Sequence, residues 1–487
     1  MKTKIISTLF FCLCSIMTAY ARERNQIRIA MTGDIMMGTT YPDSVQGIHL
    51  PKKNGRHLFD HVTSIIKDAD AAFGNLESNF LNSGGKFKDK NNKDAFFIFR
   101  TPEKLAKNLK NAGFNAVSIA NNHTNDLGET GRASTRRTLK SLGIAYAGHT
   151  GSAQAVLFEE KGIKYGFCAF SYSPMTPSIF DLDAAKTLIS SVRSECDILV
   201  VSFHGGAEGV SFKHIPFKEE TYMEQPRGNV VLFARTCIDA GADLVFGHGP
   251  HVLRAIELYK NHLIAYSLGN FCTPFRINLK EAMGYAPILV AELDNKGHFL
   301  KGNIYSFIQK PGTGPIKDED NLAAHEIKEL TLADFPDTEI IISDNGNIER
   351  TKTLLPDVLT ELNTIIQPYL GKRYRRGAQG PSSFDCSGFT SFIYDQLGYK
   401  ISRSSREQYQ DGKSVSKKEL QIGDLVFFGS RGLSRNINHV GIVVQVDPET
   451  GNFKFAHASN RGTVIDDFGK EAYYQQRYVG ARRIIEE

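Results

Sequence analysis

Apolar and polar positions change rhythm along this chain, and the changes predict its organisation. Between residues 26 and 310, short apolar runs alternate with stretches of helical period. The runs predict strands over Ile27–Met31, Ala71–Gly74, Ala116–Ala120, Tyr165–Phe170, Ile198–Phe203 and Leu244–Phe246. Between them, Leu105, Leu109 and Ala112 share one helical face, and Val230 to Ala240 reads as a helix. Such alternation marks an α/β fold. Polar residues gather just after the strands, where open α/β sheets place their ligands. Residues 311–350 mix Pro, Gly and charge without clear period and predict a variable edge or linker. Leu354, Val358, Leu362 and Ile366 then recur at i+4, as in a helix docking onto the domain C-terminal to it. From Tyr369 the pattern predicts a helix over Ser387–Leu397, then strands at Asp424–Phe428, His439–Val446, Phe453–Ala458 and Tyr478–Ile484. A helix followed by strands predicts an α+β domain. The expected division is therefore a first domain at 22–310, a linker and docking helix at 311–368, and a second domain at 369–487.

Composition narrows the function classes. With 487 residues, 41% of them hydrophobic and 23% charged, the chain is globular and long enough for two to four domains. A net charge of +5 excludes a dedicated nucleic-acid binder, which carries a stronger basic stripe. Residues 370–487 hold 18 Lys and Arg against 13 Asp and Glu, while the rest of the chain balances. That tilt suits an anionic polymer, and equally a solvated surface. At the start, Lys2 and Lys4 precede an apolar run from Ile5 to Ile16, and Ala19-Tyr20-Ala21 fits a cleavage site. Residues 1–21 thus predict a signal peptide and export to the periplasm or cell envelope. Phe11 and Leu13, ahead of Cys12 and Cys14, are too bulky for lipoprotein processing. No later stretch is long and apolar enough for an integral membrane segment in the mature chain. Beyond the signal lie Cys168, Cys196, Cys237, Cys272 and Cys386. Their odd number and loose spacing exclude a disulfide scaffold, and Cys168, Cys196 and Cys237 read as reduced core residues.

Cys386 has different neighbours. In Phe384-Asp385-Cys386-Ser387-Gly388 it precedes a helix with an apolar face of Phe389, Phe392, Ile393 and Leu397. Asp385 is placed as the N-cap, so the helix dipole and its orphan amides favour an anionic sulfur. A thiol nucleophile also needs a base, and later strands carry His439 and His457. His439 is expected within hydrogen-bond reach of the thiol, as an imidazolium–thiolate pair that lowers the thiol pKa, with His457 orienting it.

These residues resemble the NlpC-type cell-wall cysteine peptidases in order and context. The resemblance rests on F-D-C-S-G, Q-x-G-D-L-V-F-F (Gln421–Phe428), N-H-V-G-I and F-A-H-A-S, and it covers about 369–487. It implies a papain-like α+β domain that cleaves the bond between γ-D-glutamate and a diamino acid in peptidoglycan stem peptides, without a cofactor. By match, Cys386 is the nucleophile, His439 the base and His457 its orienter, while Tyr374, Asp385 and Ser387 line the substrate site. Arg403, Ser404, Ser405 and Gln408 match a segment whose role is structural. One departure stands out: where the family usually reads Y-x-W-G, this chain has Tyr374-Arg375-Arg376-Gly377, and it contains no Trp. Arg376 replaces an indole platform with a cation, which points to a more acidic substrate.

A second set of polar groups recurs at the ends of the early strands: Asp34, Glu77, Asn122, His123, His204, His248 and His251. Any one of these histidines alone would read as a core residue. Carboxylate, amide oxygen and imidazole together are what a divalent metal such as Mn, Fe or Zn takes. Two metals sharing a carboxylate can activate water for an in-line displacement. The segments G-D-I-M-M-G, N-L-E, A-N-N-H-T-N-D, S-F-H-G-G-A-E, G-H-G-P-H-V and S-L-G-N-F resemble the CapA family of capsule and poly-γ-glutamate synthesis, which is related to calcineurin-like metallophosphatases. The resemblance covers about 27–271. It implies an α/β four-layer metallophosphatase-like sandwich with those seven residues as metal ligands, and Asp126 and Glu208 supporting ligands or substrate. Gly249 stands where family members commonly carry a His. The joint expectation is an exported envelope hydrolase acting on peptidoglycan stem peptides. The alternatives are processing of a γ-glutamyl polymer, or a first domain that binds polymer without catalysis.

Overall fold

The computed structural model describes residues 26–42, 49–86, 97–351, 358–397, 399–430, 436–447 and 450–485. The expected signal peptide and Leu354 lie outside them. The chain divides into two compact units, Met1–Thr351 and Lys352–Glu487.

The first unit is built on two large sheets. One runs in the order Ile340–Ile342, Asn347–Arg350, Phe299–Tyr305, Ile288–Leu293, Ile27–Ile35, Ala71–Leu76, Ala116–Ser118, Ala145–Ala147, with Asn270–Cys272 also paired to Ile27–Ile35. The other runs Ile256–Tyr259, His262–Ala265, Leu244–His248, Ile198–His204, Ile163–Ser171, Ala155–Glu160. The central strands of both pair in parallel and are buried along almost their whole length, which is why they read as continuous apolar runs. One hydrophobic cluster draws on both sheets, through Ile29, Phe73, Phe167, Val200 and Phe246. A second joins the first sheet to helical residues such as Ile66, Leu109 and Leu139. A third joins the second sheet to Ile189, Phe233 and Cys237.

Several predicted strands run further than their apolar cores. Ile27–Ile35 includes Asp34, and Ile198–His204 and Leu244–His248 each end on a histidine. The polar tails carry residues expected as metal ligands, Asp34, His204 and His248. Residues 311–351 are not a linker. The helix Leu322–Asp334 buries Ala323, Ala324 and Ile327 in the inter-sheet cluster, and Ile340–Ile342 and Asn347–Arg350 extend the first sheet beyond Phe299–Tyr305. Ile340–Ile342 is a run of only three apolar residues and Asn347–Arg350 is mostly polar, so neither is long enough or regular enough to show a period. Cys168, Cys196, Cys237, Cys272 and Cys386 are free thiols; Cys196 is half-buried and the others are buried.

The second unit packs the helix Cys386–Gln396 against a six-stranded antiparallel sheet. Its order is Lys413–Val415, Tyr478–Arg483, Leu425–Gly429, Ile437–Val446, Phe453–Ser459, Gly462–Asp467. Phe389 and Ile393 of the helix meet Phe427, Val440 and Ile442 of the sheet. Leu362 and Ile366, from the helix Val358–Ile366, join the same cluster, so this helix belongs to the second unit. No helix among the described residues is long and apolar enough to cross a membrane.

Candidate metal centre and candidate thiol site

Parallel register assembles the first site. Asp34 pairs with Asn75 on one side and Asn270 on the other, while His248 pairs with His204 in the second sheet. Two groups of donors result: Asp34, His204 and His248, and Asp34, Glu77 and His251, the ligand atoms of each lying within 4.8 Å of one another. Asp34 belongs to both. His123 joins the second group, its Nε2 being 3.9 Å from Glu77 Oε1, and its Nδ1 is fixed by Asp126 Oδ2 at 2.8 Å. Asn122 lines the cavity that opens beside His123 and His251.

The electrostatics are those of a cation site. Asp34 and Glu77 are fully buried, and neither oxygen of Glu77 has a hydrogen-bond partner; His204 Nε2 lacks one too. A buried carboxyl group without hydrogen bonds is costly, and the nearest rings, His251 at 3.8 Å and His123 at 3.9 Å from Glu77 Oε1, are too far to supply them. Burial, reinforced by Asp34, pushes the Glu77 carboxyl well above its usual range. Burial holds His248 down to about 4, and burial with the neighbouring His248 holds His204 well below its usual value. Burial would lower His251 as well, but the carboxylates of Glu77 and Asp34 outweigh it and raise the ring to about 10. The neutral imidazoles of His204 and His248 and the carboxyl groups of Asp34 and Glu77 are donor types that fit a borderline divalent ion, and His251 would release its proton on binding one.

The substitution at Gly249 has a local reason. Its φ is +112°, and a Cβ there would lie 3.0 Å from His204 Cδ2 and Nε2. A side chain at 249 would press on the ring that ends the neighbouring strand.

The second site starts at the N-terminus of the helix Cys386–Gln396. Asp385 is its N-cap and accepts from the Gly388 amide at 2.6 Å. Arg403 holds the same carboxylate, donating to Oδ1 at 3.1 Å and Oδ2 at 2.8 Å, and reaches Ser387 Oγ at 3.0 Å. Arg403 therefore fixes the cap that aims Cys386. Tyr374 is partly exposed on the short strand Arg373–Tyr374, and Arg376 is exposed close by.

The imidazoles form a chain. His439 Nε2 and His457 Nδ1 are 2.9 Å apart, and His457 Nε2 lies 2.9 Å from Asp466 Oδ2. Asp466 in turn pairs with Arg461. Since Asp466 can only accept, His457 carries its proton on Nε2 and accepts at Nδ1 from His439 Nε2–H. The Tyr474 hydroxyl, 3.4 Å from the same Nδ1, is placed to donate to it as well. This leaves the lone pair of His439 on Nδ1, the atom available to take a proton. Gly441 makes the close pairing feasible: a Cβ there would be 2.7 Å from the Phe455 ring and 3.1 Å from His457 Cβ.

The thiol differs from the expectation. Its hydrogen-bond contact is the Asn438 carbonyl at 4.0 Å, and not the His439 ring. Burial raises the Cys386 thiol, with the Asp385 carboxylate adding to the effect; the amides of Ser387, Val440 and Cys386 itself pull the other way without winning. Burial also holds His439 down to about 3. Both shifts favour a neutral thiol and a neutral imidazole, since burial penalises the charged form of each. The sulfur nevertheless sits between Asn438 and Val440, the two residues flanking His439.

Sequence reasoning missed Asp466, Arg461 and Tyr474. Asp466 lies on the unpredicted strand Gly462–Asp467, where Phe455 pairs with Asp466 and His457 with Val464. In that register Asp466 is the diagonal neighbour of His457 on the same face. The signal was present as Asn460-Arg461-Gly462, a turn after F-A-H-A-S that folds the chain back.

Two chemistries thus share one polypeptide: a cluster of oxygen and imidazole donors of the kind metallohydrolases use, and a thiol–imidazole chain of the kind cysteine hydrolases use. Residues 28–274 match the bacterial capsule synthesis protein PGA_cap family, residues 371–483 match the NlpC/P60 family, and the chain belongs to both. It is 28% identical over 268 residues to the capsule biosynthesis protein CapA of Bacillus anthracis, covering 51% of this chain and 60% of that protein. It is 33% identical over 157 residues to murein DD-endopeptidase MepS/murein LD-carboxypeptidase of Escherichia coli (strain K12), covering 31% of this chain and 79% of that protein. The chain spans about 60% of the length of the curated CapA relatives it matches. Among solved structures, an NLP/P60-family protein similar to lipoprotein, from Staphylococcus aureus, is 27% identical, with 33% of this chain and 48% of that one covered and a TM-score of 0.24.

Proposed function

We propose that the second unit is a cysteine endopeptidase of the exported cell envelope that cleaves the γ-D-glutamyl–diamino acid bond of peptidoglycan stem peptides. The observation that carries the reading is the chain of contacts from His439 through His457 to Asp466, next to a thiol capped by Asp385. In this mechanism His439 Nδ1 takes the Cys386 proton as the sulfur attacks the γ-glutamyl carbonyl, and the Cys386 amide helps hold the oxyanion. His439 then returns the proton to the departing amine, and water releases the thioester by the same route. The relatives' murein-cleaving names support the substrate, and the family motifs support the bond. The test is mass spectrometry of defined muropeptides incubated with the protein and with Cys386→Ala. Cleavage between γ-D-glutamate and the diamino acid is expected from the first alone. Cleavage that persists in the variant overturns the mechanism, and products cut only at other stem-peptide bonds overturn the assignment of the bond.

We infer that the first unit is a metal-dependent hydrolase of phosphoesters, its two sheets enclosed by helices in the four-layer metallophosphatase arrangement. The support is the pair of donor groups sharing Asp34, together with the unsatisfied oxygens of Glu77. A divalent ion there would supply Lewis acidity and a water of lowered pKa. Of the chain's own residues, Asp126 fixes the His123 ring, and Asn270 Oδ1, 3.0 Å from His251 Nδ1, steadies His251. Metal analysis of the purified protein tests this: stoichiometric Mn, Fe or Zn is expected, and its absence after growth in each metal refutes it.

A further inference from the structure

A cavity of about 970 Å³ opens beside Asn122, His123 and His251, within the size range of organic ligand sites. Its lining is unlike a track for a polyanion. Among the described lining residues the positive groups are Arg227, Arg276 and the His251 ring; Arg227 is already engaged by Glu208 at 2.6 Å and by the face of Tyr172 at 4.2 Å, and His251 by Asp34 at 3.1 Å, so they do not form a row. Poly-γ-glutamate bears one carboxylate per residue and would need a row of cations to replace its hydration. The lining residues are mixed, but most of the wall surface they present is apolar. Phe97, Phe180 and Met223 line the cavity while remaining 48%, 45% and 66% exposed, and Ile277 and Met283 line it as well. A single exposed apolar side chain is ordinary, but three large ones converging on a cleft with candidate metal donors at its buried end are a binding surface.

Building on the phosphoester reading above, we propose that this cleft takes a phosphoester whose alcohol portion is an extended hydrocarbon. The phosphoryl group lies toward His123 and His251, with Arg227 supplying positive charge nearby. The hydrocarbon follows Phe97, Phe180, Met223 and Ile277 outward. Burying only two or three of its methylenes, at about 0.8 kcal/mol each, gives a preference of about tenfold or more over a short-chain analogue.

The test uses calorimetric binding to the full-length protein supplemented with Mn²⁺, with decylphosphonate, methylphosphonate and a poly-γ-glutamate oligomer as probes, none of them requiring turnover. Decylphosphonate is expected to bind at least about tenfold more tightly than methylphosphonate. Phe180→Ser with Met223→Ser, both exposed and so compatible with folding, should collapse that ratio. Equal binding of the two phosphonates, or oligomer binding tighter than either, overturns the proposal and leaves the metal reading standing. Failure of both phosphonates to bind protein that has taken up Mn²⁺ overturns the phosphoester reading together with the proposal.

Discussion

Replacing Asp466 with Asn separates a relay from a packing contact. Asp466 accepts from His457 Nε2 at 2.9 Å, and this bond sets the proton positions of both rings. An Asn there keeps the volume but removes the charge and brings an amide that can donate. A donating amide forces His457 into the other tautomer, with its proton on Nδ1. His439 Nε2 must then accept, and His439 Nδ1 carries a proton when it should receive one. Even if the Asn oxygen faces His457, a charge-assisted bond worth about 1.5–3 kcal/mol becomes a neutral one. The difference of about 1–1.5 kcal/mol is worth about 5- to 10-fold at about 1.4 kcal/mol per factor of ten, and the tautomer switch costs more, so kcat should fall at least about 5- to 10-fold, with KM little changed. Arg461 already partners the carboxylate, which keeps the expectation below the larger losses seen when an isolated triad carboxylate is removed. The assay is stem-peptide cleavage followed by liquid chromatography across pH 5–9, with thermal unfolding to confirm the fold. Asp466→Glu should recover part of the rate. A kcat within twofold of the parent and an unchanged pH profile would refute the relay.

With a raised thiol and a His439 held to about 3, iodoacetamide should alkylate Cys386 slowly at pH 6 and faster as pH rises toward and beyond 9; rapid reaction at pH 6 would restore the ion pair. His123→Ala or Glu77→Ala should lower bound metal, measured by elemental analysis, while peptidase activity stays near the parent value; unchanged metal in both sinks the assignment. Chelation should lower the melting temperature of the first unit and Mn²⁺ should restore it, because an ion held there would offset the buried Asp34 and Glu77; a melting curve indifferent to both contradicts this. Arg376→Trp should shift the ratio of products across a panel of stem peptides without abolishing turnover, and identical ratios would place Arg376 away from substrate.

The parts of the fold that were legible in the sequence are those where burial is uniform. Six parallel strands of the first unit are apolar enough to stand out, and the structure brings Asp34, Glu77, His204, His248 and His251 from their ends close together. Position was harder to read than identity: that Asp34 would serve both donor groups depends on its pairing with strands on either side, which no local pattern records. The Cys386 thiol shows the opposite failure. Helix position alone predicts an easily ionised sulfur, but desolvation is a tertiary property and it dominates. Asp466 was hidden for a third reason, since Gly462–Asp467 is only partly buried and its alternation is weak.

The closing stretch of the first unit also sets where the chain can be divided. Ile340, Ile342 and Ile348 are at most 5% exposed; with Ala323, Ala324 and Ile327 they join the inter-sheet cluster, while Asn347–Arg350 pairs with the free edge of Phe299–Tyr305. A fragment stopped at residue 310 would strip those apolar side chains from the inter-sheet layer and leave Phe299–Tyr305 as a bare edge, ready to pair with a second molecule. A fragment carried through Thr351 keeps that edge occupied. Insoluble material from the shorter fragment would therefore reflect an amputated sheet, not an intrinsic dependence of the metal-type unit on the peptidase.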